Sequence, residues 1–193
     1  MKSLIRKFTE KFYLTYARAR CTQEVLDFSD CLVQALTALI ITPKLPREQQ
    51  AALRLLTELP QIFPETHFSV LLEESFAAPI SVKENLQLIT YSLDDIAYYG
   101  LPRKNLQDVV RSRHFDLVVD LHESFDLVAT CLCLVSDAKL RVALQHPKRD
   151  FLYNFQVRVA DNLSLDMKYD SLVKYLTCFR VLPHASEADL LTV

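Results

Sequence analysis

The chain has 193 residues, half of them hydrophobic and 24% charged, with a formal net charge of −2. That is the composition of a globular domain able to bury a sizeable core without disulfide or metal support, and its slight acidity argues against a general nucleic-acid binder. Only one glycine, Gly100, is present, where average usage would give roughly 13, so glycine-rich phosphate loops and the glycine-flanked serine turn of hydrolases are excluded.

The first predicted element is a helix over residues 2–20. Leu4, Ile5, Phe8, Phe12 and Tyr16 recur every three to four residues and share one face. Six basic residues precede Cys21, against one acidic residue, Glu10. Two placements of such a helix are open. Its aromatic face packs on the domain or on a protein partner, or the helix lies on an anionic membrane surface. The segment lacks the apolar core and cleavage site of a signal peptide, and no apolar run reaches 18 residues. The expected location is cytoplasmic, with peripheral attachment to the inner face of the membrane left open by this helix.

Residues 23–34 read as irregular, with Asp27, Ser29 and Asp30 as turn formers. A β-branched apolar run over 36–42 predicts the first strand. Pro46 suits the first turn of the helix that follows, in which Ala52, Leu53, Leu56, Leu59 and Phe63 form one stripe. Further strands are expected over 68–72, 86–91, 116–121, 139–144 and 155–159. Helices are expected over 101–113, with Leu106, Val109 and Val110 inward, and over 125–135 and 169–179. Strands alternating with helices specify a parallel sheet covered on both faces, a three-layer α/β/α domain over 35–182. Residues 1–34 form the helix and its connector, and 183–193 a tail. The expected strand order, 3-2-1-4-5, places a switch point between strands one and four, where such sheets bind ligands.

The five cysteines, Cys21, Cys31, Cys131, Cys133 and Cys178, are irregularly spaced and read as buried thiols of a reducing compartment. Cys131 and Cys133, two apart on a helix, point to different sides and make no chelate. No metal and no cofactor is expected.

The switch-point crevice is expected to be lined by Thr42, Lys44, Asp120, His122 and Ser124. His122 beside Glu123 is the pairing from which a general base could be drawn, and Glu48 is the nearest acidic residue after the first strand. Ser124 is a good helix N-cap, and Glu123 suits the positive end of a helix, so both also have a structural reading. Asp120 reads as the buried end of a strand. The acidic pairs Glu73–Glu74 and Asp94–Asp95 read as solvated turns. Lys139, Arg141, His146, Lys148 and Arg149 read as one basic patch around the fifth strand, able to meet a phosphate group or to form a solvated rim.

Four stretches carry a family resemblance. They are Ala38-Leu-Ile-Ile-Thr-Pro with Ala52–Pro64 and Thr66–Leu72; His114-Phe-Asp-Leu-Val-Val-Asp-Leu121; Ala138-Lys-Leu-Arg-Val-Ala143; and Tyr153-Asn154 with Val157, Val159 and the helix through Leu182. Over 36–182 the chain resembles the N-terminal half of glycosyltransferase family 9, the ADP-heptose:lipopolysaccharide heptosyltransferases of bacteria. The resemblance implies a Rossmann-like domain with a mainly parallel sheet, as in the N-terminal half of a GT-B glycosyltransferase. It also implies a glycan or lipid-linked acceptor in bacterial surface glycan synthesis. The family's first loop carries a Gly-Asp pair whose aspartate is its proposed base. Here the loop is Thr42-Pro-Lys-Leu-Pro-Arg-Glu48, without either residue, and the sequence ends near where the family's nucleotide-sugar domain begins. The expectation is therefore a non-catalytic binding or interaction module. The alternatives are a transferase subunit completed by a partner chain, and a small enzyme using His122 and Glu123.

Overall fold

Among the described residues, five of the six strands are built from apolar runs whose alternate residues bury against helices on opposite faces. In the computed structural model, which describes residues 2–21, 26–77 and 85–181, these strands are β1 (Thr37–Ile41), β2 (His67–Glu73), β3 (Leu86–Tyr91), β4 (Leu117–Asp120) and β5 (Leu140–Leu144). The sixth, β6 (Phe155–Val157), is a short edge strand. They join in the order β3-β2-β1-β4-β5-β6, and every neighbouring pair is parallel. The expected order is realised, with β6 added at one edge. Ile41 pairs with both Leu71 and Asp120, so β1 and β4 end level with each other at the carboxyl edge.

One face of the sheet, carrying Ile40, Val70, Val119 and Val142, packs on α2 (Phe28–Val33), α3 (Pro46–Ile62) and α6 (Leu165–Val181). The other face, carrying Leu39, Leu71 and Val118, packs on α4 (Lys104–Arg111) and α5 (Leu127–Val135). This is the three-layer α/β/α arrangement. The proposed tail, 183–193, lies outside the described residues.

Three local expectations change. Part of the segment read as irregular forms α2, because the Asp27 side chain accepts from the backbone N–H of Asp30 at 3.1 Å and caps it. Helix α4 is shorter than expected, and Leu106 and Val110, four apart, set its buried face. Val109 is rotated away from them and is exposed. Of the thiols, Cys131 and Cys133 are buried, Cys21 and Cys31 half-buried, and Cys178 is exposed.

Helix α1 (Lys2–Arg20) packs outside the α5 layer through Tyr13 and Ala17, which meet Cys131. Its docked face is not the one singled out by periodicity. Leu4, Ile5, Phe8, Phe12 and Tyr16 all remain exposed. Glu10 pairs with Lys148 at 2.8 Å and Arg18 lies over the Phe151 ring, which anchors the helix to the β5–β6 connection. No described helix is long and apolar enough to cross a membrane.

Candidate functional site

The carboxyl edge gathers charge that the apolar strands do not supply themselves. Asp120 ends β4 and is fully buried. Its Oδ2 receives Nη1 of Arg149 at 2.5 Å and the hydroxyl of Tyr153. Its Oδ1 receives the backbone N–H of His122 at 3.0 Å and approaches Nδ1 of the same residue at 2.7 Å. Arg149 also donates to the carbonyl of His122 and, like Asp120, is closed to solvent. Burial acts to raise the Asp120 carboxyl. Arg149 first, then His122, overcome this and hold it well below the usual carboxylate value. The Tyr153 phenol is pushed upward by burial and by the adjacent carboxylate.

An ionised carboxylate only accepts, so Nδ1 of His122 is the donor in their contact, whichever charge the ring carries. Nε2 is buried and has no hydrogen-bond partner. A carboxylate holding an imidazole by Nδ1 is the orientation a general base requires. His122, however, is only 4% exposed.

The other candidates are engaged or turned inward. Thr42 is buried rather than lining an open crevice, and its hydroxyl donates to the Leu71 carbonyl at 3.0 Å. This follows from its place just past β1, where its own N–H also bonds Leu71. Lys44 pairs with Asp126 at 2.9 Å. Glu123 receives the Nζ of Lys168. Ser124 is exposed and does not cap α5. That cap is Asp126, whose Oδ1 accepts from the N–H of Ala129 at 2.8 Å. Glu48 is buried in the first turn of α3. Burial raises its carboxyl, with His122 opposing. The crevice thus brings Asp120, His122, Glu48 and Glu123 into electrostatic reach of one another, while Lys44 belongs to the neighbouring pair with Asp126.

Two hollows open on this edge. One, of about 370 Å³, lies between α1 and the strand ends and is lined by Arg6, Lys44, Tyr91, Leu93, Phe125 and Asp126. The other, of about 820 Å³, lies beyond β5 and β6 and takes in Glu123, His146, Arg158 and Lys168.

The basic patch read around the fifth strand is not one surface. Lys139 and Arg141 lie at the start of β5, with Arg20 and Arg111 around a different hollow. His146 and Lys148 lie beyond its other end, and Arg149 is in the core. A strand carries its two ends some 17 Å apart, which separates residues that are near in sequence. Asp95 receives the backbone N–H of Ser92 at 2.8 Å in a capping box, which gives that residue a turn role. Among the described residues no group of three potential metal ligands converges. Sequence reasoning missed the roles of Arg149, Tyr153, Lys168 and Asp126. The one available signal was Asp120 itself, since a carboxylate closing an apolar strand needs a buried counter-charge.

The sheet order and the crevice at its switch point define an α/β fold shared with glycosyltransferases. E. coli heptosyltransferase WaaC with ADP aligns with a TM-score of 0.55 and 19% identity, over 72% of this chain and 46% of that one. The same enzyme with ADP-2-deoxy-2-fluoro heptose gives 0.54 and 15%, over 72% and 47%. A glycosyl transferase family 9 structure from Veillonella parvula DSM 2008 gives 0.60 and 14%, over 72% and 40%. The chain therefore spans less than half the length of each, a share that fits the partial resemblance expected from the sequence. No family profile and no curated protein matches it.

Proposed function

We propose that this domain is a binding module whose carboxyl-edge crevice holds a glycan or lipid-linked acceptor, in bacterial surface glycan synthesis, without turning it over. The observation that carries the reading is the segment leaving β1. From Thr42 to Pro46 it offers no acidic side chain, and its one charged group, Lys44, is taken by Asp126. Glycosyl transfer needs a base that reaches the acceptor hydroxyl. The nearest carboxylates are buried, as Glu48 and Asp120 are, or paired, as Glu123 is with Lys168. The shared fold supports the ligand class.

Thermal unfolding beside glycan core fragments, and beside ADP-, UDP-, GDP- and CDP-linked sugars, tests it. A fragment at 100 times its dissociation constant stabilises the fold by about 2.7 kcal/mol. No response to any fragment overturns the binding reading. Release of a nucleoside diphosphate from a nucleotide sugar overturns the non-catalytic one and favours a transferase.

A second reading rests on His122. Its oriented imidazole with an unpartnered Nε2 is the geometry of a small enzyme's base. Under that reading, turnover of a small ester or glycoside is lost in His122→Gln. A panel of such substrates left unturned by the wild type sinks it.

A further inference from the structure

We propose that α1, with the loop leading into α4, is a docking surface for an anionic lipid bilayer. This stands independently of what the crevice binds.

Helix α1 buries Tyr13 and Ala17 against the domain and turns its most apolar face outward. Leu4, Phe8 and Phe12 are 61%, 68% and 78% exposed, with Ile5 and Tyr16 beside them. Lys7 and Lys11 are exposed and stand one helical turn apart along one margin of this stripe. The connection from β3 to α4 adjoins the helix, because Gly100 lies against the Arg6 side chain. That connection carries Leu93 at 78% exposure and Tyr98 at 67%, with the Tyr98 and Tyr99 rings edge to face at 5.1 Å. Exposed aromatic rings beside lysines form the pattern of a helix lying in the plane of a membrane interface.

Charge selects the occupant. Glu10, the single acidic residue of α1, is already paired with Lys148. Two copies meeting helix to helix would bring their lysines together with no free carboxylate on either helix, while the exposed carboxylate of the loop, Asp94, stands beside Leu93 and off the helix. A surface of anionic headgroups meets the lysines and receives the aromatic rings at once.

The test is co-sedimentation of the full chain with vesicles of phosphatidylcholine containing phosphatidylglycerol, against phosphatidylcholine alone. Binding is expected to the anionic vesicles, weakening as salt rises. Each lysine removed in Lys7→Gln and Lys11→Gln weakens it about fivefold. The pair Phe8→Ser and Phe12→Ser weakens it at least tenfold. Neither pair shifts the melting temperature, since all four side chains are exposed. Failure to bind anionic vesicles at low salt overturns the proposal. So does equal binding to neutral vesicles, a fall in melting temperature with the phenylalanine pair, or a dimer that this pair abolishes.

Discussion

Nη1 of Arg149 stands 2.5 Å from Oδ2 of Asp120 with both side chains closed to solvent. Breaking one side of such a buried pair leaves the other charge uncompensated, so Asp120→Asn is expected to cost about 3–5 kcal/mol at neutral pH. The folded carboxyl titrates below its unfolded value. Its stabilising contribution is therefore complete above an unfolded pKa of about 3.9, and is lost as pH falls through the lower folded value. Urea midpoints of wild type and variant should converge across that acidic window. A gap that stays constant down to full protonation would count against the pair.

Asp126 does two things at once, capping α5 and holding Lys44. Asp126→Ala is expected to cost about 1 kcal/mol through the cap, with the loss of the ion pair added. Lys44→Met should cost less than about 1 kcal/mol, because the pair is partly open to water. A double-mutant cycle separates the two, and a Lys44 effect larger than that of Asp126 would reverse the assignment.

Tyr13 and Ala17 cover Cys131, while Cys133 packs on the sheet side of the same helix. Burial raises the Cys131 thiol to about 11 and the Cys133 thiol further. Ala17→Glu should lift α1 off and make Cys131 react with a thiol reagent under native conditions, leaving Cys133 protected. Equal labelling of both would mean global unfolding instead.

Gly100 has φ +98°, a conformation that side chains resist. A Cβ there would meet the Arg6 and Leu127 side chains at 3.7 Å, ordinary contact distance. The cost of Gly100→Ala is thus backbone strain, expected at about 1–2 kcal/mol. Denaturant midpoints measure it, and a neutral substitution would refute the strain.

The sheet was legible because its strands are short apolar runs between turn and helix signals, and periodicity is a local property. The α3 stripe was legible for the same reason. Arg149 was not. Lys148 and Arg149 read as part of one basic patch, and only the chain's path from β5 to β6 brings the Arg149 guanidinium to Asp120 at the end of β4. Helix α1 shows a different limit. Periodicity finds its apolar face but not which face docks, because a small residue such as Ala17 permits close approach that bulky Phe8 and Phe12 do not. Helix termini carried a third ambiguity. Asp126 and Ser124 are both good caps by type, and the chain's path decides between them.

The distance in sequence between Asp120 and its counter-charge also orders events during synthesis. The carboxylate leaves the ribosome 29 residues before Arg149, and Tyr153 follows later still. Until that connection emerges, a sheet assembled through β5 would enclose the Asp120 carboxylate with His122 but without its guanidinium partner. Nascent chains arrested before Arg149 should stay open to protease, and those extended past α6 should resist it. The last quarter of the sequence thereby acts as a checkpoint on what precedes it.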